Sequence, residues 1–490
     1  MMKGIEKGSA SQKLMAGTGE EKGKRGLGFM SITKQVVENL QGTKFDDFPE
    51  KTVEYARFVI LDSVGSALAG SGTEVGRIFY SLHNDDEAGP SLVWGSDRLS
   101  SLNAACFINS SLSQILDFDD TYEINTLAVS HPGPAIVPLA LTMADRFDIK
   151  GGELIRAIVL GYEMCMRFSS AIEPRYDDYF GFSNSQMIGA VTSSSTLLGL
   201  SDEEFINAYG LAVSTSTVAT TKAMWSLETR PMSWIKDGVG FVSEAALMCS
   251  RMASKGFRAT REGLDPGDKF PLLCGSHDYK YSKLTGGFGN TYQIEKISFK
   301  PYPTCRFMQS ILDIIDREIV VKGFAGDDVE KIQIFITPYL KNSFDVRDPL
   351  TMIDAQFSLP YAVAMLLSGR SPSPAWYEPG AMKDPYTRTL VDKVELIPDE
   401  AIEKGRKESS ELKNRVKILF KNNRECVFET GFAKGHPRNP FSKEDHLSKF
   451  RQNLSGLFGA RKIETLAEMI LGMGKTTDIR NMVSQFRPGD

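Results

Sequence analysis

The sequence predicts a mostly α-helical protein, a large all-helical domain with a smaller α+β domain inserted into it. Three observations predict this. Apolar residues recur at helical spacing from about residue 30 to 285 and again after 436. Strand-like stretches bounded by turn formers are confined to about 286–435. Gly, Ala and Ser occupy many contact positions of the first helices, which indicates close helix packing. The expected organisation is a disordered extension over 1–29, helical domain over 30–285, α+β domain over 286–435, and a C-terminal helical part over 436–490 that packs back on the first.

Residues 1–29 are rich in Gly, Ser, Lys and Glu and lack apolar periodicity, so disorder is expected. They hold no apolar h-region and do not read as a secretory signal. Asp46-Asp47-Phe48-Pro49 opens a helix running through Val53, Val59, Ile60 and Val64 to Gly70. Asp62 interrupts its apolar run from Phe58 to Leu68. Ser91 to Trp94 is strand-like. Leu99 to Leu116 reads as a buried helix, Pro134 to Met143 as a second, and Gly151 to Ile172 as a third. A small-residue helix follows Gly181-Phe182-Ser183 and ends near Leu200, and Ser201-Asp202-Glu203-Glu204 is a capping box for the next. Ala219 to Arg230 reads as a loop. Trp234 to Gly238 opens a helix that reaches Ser254, with Gly256 as its stop.

In the α+β part, Tyr292 to Phe299 and Val329 to Ile336 are strand-like. Arg415 to Phe420 and Glu425 to Thr430 flank Lys421-Asn422-Asn423-Arg424 as a hairpin. Helices are expected over Thr304–Ile319, Phe357–Leu367, Lys443–Leu457, Ile463–Leu471 and Asp478–Phe486.

Composition excludes several function classes. Of 490 residues, 41% are hydrophobic and 24% charged, an ordinary soluble balance with room for two or three domains. A net charge of −5 gives no basic surface for nucleic acid. Six cysteines without a Cys-x-x-Cys pair point to free thiols in a reducing, cytoplasmic setting. Five histidines without a His-x-x-x-His pair give no support to a metal site. No run approaches the roughly 18 apolar residues that span a bilayer.

The chemistry concentrates in Asp117-Phe118-Asp119-Asp120-Thr121, followed by His131-Pro132-Gly133-Pro134. Were the first helix to continue past Leu116, Asp117 and Thr121 would share a face. His131 falls just before the second helix, where free N–H groups and the dipole attract anions. An acid/base cluster there suits a small carboxylate substrate. The alternative is a polar loop with a helix cap.

The whole string of motifs resembles the MmgE/PrpD family over roughly Thr33 to Met482. The resemblance rests on Leu61-Asp62-Ser63-Val64-Gly65, Asp117 to Thr121, His131-Pro132-Gly133 and Lys236-Asp237-Gly238. It continues in Lys300-Pro301-Tyr302-Pro303-Thr304-Cys305-Arg306, Phe357-Ser358-Leu359-Pro360-Tyr361 and Gly435-His436-Pro437. Each string is weak alone; seven in order are strong. The family contains dehydratases, decarboxylases and epimerases of small carboxylates. It implies a large helical domain, a smaller α+β domain with a cleft between them, a homodimer, and no cofactor. It makes Asp117, Thr121, His131 and Lys300 candidate active-site groups. The sequence departs from the family pattern at Ser183 and Gln309, where the family often has histidines, and at Ser233, where it has a lysine.

The family reactions begin by removing a proton next to a carboxylate, which needs a base and positive charge over the electron-accepting carboxylate. His131 is the best base by residue type. A lysine in apolar surroundings could also serve, and Lys300 and Lys236 both have apolar neighbours. Lys236 would open a helix, an unfavourable place for a cation that served the helix alone. Arg306 either clamps a carboxylate bidentately or forms an ion pair within the small domain. Asp117 either orients His131 or binds directly. Asp120 either binds substrate or caps a helix, and Thr121 and Ser183 are substrate-binding candidates. Tyr361 is either substrate-binding or core, and His436, in a Gly/Pro turn, reads as structural. The expected function is a cofactor-free lyase, dehydratase-like, acting on a small polycarboxylate. The alternatives are an isomerase with two bases flanking one carbon, and a binding protein that has lost its chemistry.

Overall fold

A computed structural model describes residues 31–82, 88–172, 182–216, 230–232, 238–267, 270–276, 278–409 and 411–489. The N-terminal extension, the expected loop up to residue 229, and Lys236 with Ser233 lie outside the described residues.

Most of the first half is helical: α1 (Ile32–Gly42), α2 (Glu50–Ser71), α3 (Glu74–Leu82), α4 (Leu102–Gln114), α5 (Pro132–Phe147), α6 (Gly151–Ile172), α7 (Ser183–Leu197), α8 (Asp202–Thr215) and α9 (Val239–Ala253). The starts follow local chemistry. Ser31 caps α1, Ser101 caps α4, and Ser201 with Glu204 closes the expected capping box on α8. Gly256, the expected stop after α9, has φ 83°. From Val159 to Phe168, α6 is buried on every side, so it runs through the interior rather than along its edge. The small residues act where helices cross: a Cβ on Gly189 of α7 would lie 2.7 Å from Cβ of Cys165 and 2.8 Å from the Gly161 carbonyl of α6.

The second half supplies α10 (Gln309–Ile315), α11 (Pro338–Phe344), α12 (Leu359–Leu367) and α13 (Glu400–Ser409) around a four-stranded sheet. Its order is β7-β6-β8-β9, with β6 (Val329–Ile336) parallel to β7 (Val394–Pro398) and antiparallel to β8 (Arg415–Phe420), which pairs with β9 (Glu425–Glu429). Val329, Ile332, Ile334 and Ile336 are buried. The β8–β9 turn is the one expected, with Asn423 at φ 64°, a conformation Asn tolerates better than most residues. β7 was not foreseen; Lys393 and Glu395 break its apolar run, and only Val394 and Leu396 face the core.

The last helices, α14 (Lys443–Leu454), α15 (Ala460–Leu471) and α16 (Ile479–Ser484), join the hydrophobic cluster of the first half. A second cluster surrounds the four-stranded sheet, and Ala69, Leu116, Phe118, Ala128, Phe182 and Met232 reach into it. A groove of about 970 Å³ separates the two parts on one side, with Thr73, Arg77 and Asn453 on one wall and Thr351, Tyr377 and Met382 on the other.

Strands are not confined to 286–435. β1 (Ser91–Leu92) pairs with β2 (Leu99–Ser100), and β3 (Thr121–Ile124) pairs with both β4 (Leu127–Ser130) and β5 (Ile297–Ser298). Tyr292 to Phe299 is mostly a 3-10 turn, Gln293–Lys296, and only its last residues pair, because β5 is an edge piece laid on the β3–β4 hairpin.

Candidate active site

The acidic segment is a loop, not a helical continuation. α4 ends at Gln114, Asp117 sits in the left-handed region at φ 48°, and Thr121 begins β3. Asp117 and Thr121 therefore share no helix face. From Leu116 onward the loop divides its side chains: Leu116 and Phe118 join the cluster around the four-stranded sheet, while Asp117, Asp119 and Asp120, also buried, meet polar partners.

Each carboxylate meets a different partner. Lys300, fully buried, donates to Asp117 Oδ1 at 2.6 Å and to the Asp117 carbonyl at 2.9 Å, with Asp119 Oδ1 at 3.7 Å. Asp119 Oδ2 lies 2.7 Å from His131 Nδ1, which is also 3.0 Å from the Asp120 carbonyl and 3.4 Å from Thr121 Oγ1. A carbonyl oxygen only accepts, so Nδ1 carries the proton and points it at two acceptors. In the neutral ring the lone pair is then on Nε2, which has no partner among the described residues. The His131 ring stands edge-to-face with Phe182 at 5.0 Å, and Gln186 Nε2 holds the His131 carbonyl at 2.7 Å.

Asp120 caps α5. Its Oδ1 accepts from Gly133 N at 2.9 Å and its Oδ2 from Tyr162 Oη at 2.5 Å. A Cβ on Gly133 would lie 2.6 Å from Asp120 Oδ1, so the cap needs glycine there. Burial pushes the Asp120 carboxyl up to about 8, against the pull of both donors. The cap also corrects an expectation. The start of α5 offers a ligand no free N–H from 132 to 134, because Pro132 and Pro134 have none and Gly133 gives its own to Asp120.

The other expected residues are placed as follows. Arg306 is committed to Glu123, with Nε at 2.8 Å and Nη2 at 2.7 Å from Oε2, and Nη1 on the Phe299 carbonyl at 3.2 Å. It is an internal ion pair, not an open carboxylate clamp. Tyr361 is core, its hydroxyl donating to the Trp376 carbonyl. Ser183 opens α7, buried beside Phe182. Gln309 knits the Lys300–Arg306 turn, accepting from Tyr302 N and donating to the Tyr302 and Thr304 carbonyls. His436 accepts from Arg438 N at 3.0 Å, stacks on Phe432 and has Nε2 3.2 Å from the Asn125 carbonyl.

Sequence reasoning did not single out Asp119 as the partner of His131, nor Tyr162 or Lys449. Lys449 Nζ donates to Asp62 Oδ1 at 2.5 Å and to the Phe118 carbonyl at 2.6 Å. Burial pushes the Asp62 carboxyl up and the Lys449 ammonium down, each against the attraction of the other. The signal for Asp62 was visible: one carboxylate in the middle of an apolar helix needs a partner. Tyr162 and Lys449 carried no comparable signal.

Comparisons with known proteins identify the family. The MmgE/PrpD N-terminal domain matches residues 34–281 and the MmgE/PrpD C-terminal domain matches residues 302–473. The chain is 24% identical over 469 residues to a cis-aconitate decarboxylase of Homo sapiens, covering 91% of this chain and 93% of the relative. A cis-aconitate decarboxylase of Mus musculus is 24% identical over 465 residues, covering 90% of each. One of Aspergillus terreus is 20% identical over 471 residues, covering 91% and 94%. With both family domains matched in order along the sequence, this chain belongs to the MmgE/PrpD family.

Proposed function

We propose that this protein is a lyase of small polycarboxylates that works by moving a proton at the carbon next to a carboxylate, without a cofactor. The observation that carries the reading is the His131–Asp119 pair, with Nδ1–H engaged and Nε2 without a partner among the described residues. A neutral imidazole held in one tautomer is a suitable general base, and the Asp119 carboxylate stabilises the imidazolium that forms when Nε2 takes a proton. In dehydratase-like elimination the C–H bond breaks toward Nε2. Its electron pair becomes the C=C bond, and the hydroxyl on the neighbouring carbon leaves as water, taking the proton that Nε2 has just gained.

Decarboxylation is the second reading, favoured by relatives named cis-aconitate decarboxylase that align over about nine-tenths of their length. There a C–C bond breaks to release carbon dioxide and the same imidazole, protonated, returns a proton to carbon. Ser183, standing where the family resemblance places a histidine, weighs toward elimination. A panel of di- and tricarboxylic acids incubated with the protein in deuterated water and followed by NMR tests the reading. Elimination shows a new alkene and loss of the hydroxyl-bearing carbon. Decarboxylation shows a product one carbon shorter. Exchange with inversion and no other change would make the protein an isomerase, and binding without any exchange would overturn the enzyme reading.

A further inference from the structure

Lys449 belongs to α14, more than 300 residues beyond the acidic loop in sequence, yet its ammonium lies under the middle of that loop. It donates to the Phe118 carbonyl at 2.6 Å and to Asp62 Oδ1 at 2.5 Å, and stands 4.1 Å from the centroid of the Phe118 ring. Phe118 separates Asp117, which meets Lys300, from Asp119, which meets His131. Asp117 holds a left-handed backbone conformation, φ 48°, uncommon for a residue with a Cβ. Two ammonium groups hold the carbonyls that follow it, Lys300 the Asp117 carbonyl and Lys449 the next one.

We propose that Lys449 is a positioning residue of the active site, gripping the Phe118 carbonyl so that Asp119 is presented to Nδ1 of His131. Asp62 is the counter-charge that lets this ammonium stay in the interior. The loop is thereby clamped by two distant parts of the chain, the segment at Lys300 and helix α14. The proposal rests on the lyase reading only where turnover is measured; the geometry it predicts at His131 does not depend on it.

The rival explanation is that Lys449 merely neutralises Asp62. The double variant Lys449→Met/Asp62→Asn separates the two, because it removes both charges together and avoids stranding one in the core. The readout that needs no substrate is the downfield proton resonance of His131 Nδ1–H, assigned by its loss in His131→Gln. In the double variant, with the melting temperature showing a folded chain, that resonance should shift or broaden. On whichever acid the wild type turns over, kcat should fall about tenfold. Lys449→Arg, which can still reach the carbonyl, should recover part of both. A folded double variant with the wild-type resonance and kcat would overturn the proposal. If the wild type turns over no acid offered, the lyase reading fails while the resonance still decides the role of Lys449.

Discussion

Two buried charge clusters lie close to the β3–β4 hairpin, and they differ in one respect. In the first, Glu123 Oε2 accepts from Ser298 Oγ and from two nitrogens of Arg306, while the third guanidinium nitrogen meets the Phe299 carbonyl. Every nitrogen of that guanidinium is used. In the second, Lys300, Asp117, Asp119 and His131 are bound as tightly, but Nε2 of His131 has no partner among the described residues. Buried charge alone marks neither structure nor chemistry. What sets the second cluster apart is a ring nitrogen that no described residue engages, and a sequence shows that only after the network is known.

The comparison breaks most directly at His131. His131→Gln keeps a polar side chain but removes the base, and a general base contributes about 10²- to 10⁴-fold. We expect turnover to drop at least about 10²-fold, with the circular dichroism spectrum unchanged. A loss confined to KM would make His131 a binding group instead.

Arg306→Met should do the opposite. It leaves Glu123 buried without its cation, and breaking a buried pair in this way costs roughly 3–5 kcal/mol. Denaturant unfolding should show that loss, while the protein that remains folded turns over substrate within about threefold of the wild type. A variant with normal stability and lost turnover would move Arg306 back into the active site.

His446 sharpens the contrast from the structural side. It stacks on Phe58 at 4.1 Å and meets the Phe299 ring edge-on at 4.4 Å. Burial pushes its imidazole down to about 3, with Lys449 adding to the effect. Because the folded value lies below the unfolded one, the unfolded chain takes up a proton first as pH falls. The stability from this neutral ring is complete above about pH 6.5 and lost progressively toward pH 3. At about 1.4 kcal/mol per pH unit, that is about 2 kcal/mol between pH 6.5 and 5. His446→Phe should flatten the difference in unfolding free energy between these pH values, and an unchanged slope would refute the assignment.

The sequence made the helices legible because their periodicity is long and their caps are local: α6 and β6 begin and end where expected. The acidic loop was legible in composition and not in conformation. Nothing local announces that Asp117 turns left-handed, since Lys300 and Lys449 arrive from 183 and more than 300 residues away. The anion-binding helix start was misread for the same reason: its free N–H is taken by Asp120, 13 residues upstream. Arg306 has a residue type suited to clamping a carboxylate, and only the fold brings Glu123 to it.

Asp119→Asn makes the finest test of the contrast. The change removes the negative charge and keeps the shape. Nδ1 of His131 still has the Asp120 carbonyl at 3.0 Å, which can only accept, and the asparagine carbonyl can replace one carboxylate oxygen. The tautomer of the neutral ring should therefore survive. What disappears is the charge that stabilises the imidazolium formed in the proton-transfer step, so the ground state changes less than the transition state. Substitutions of this supporting kind typically cost 10- to 100-fold, and with the tautomer held by the backbone we expect about tenfold in kcat at little changed KM. A loss as large as that of His131→Gln would show that the carboxylate, not the backbone carbonyl, fixes the tautomer. No loss at all would show that the imidazole does not become charged in the rate-limiting step.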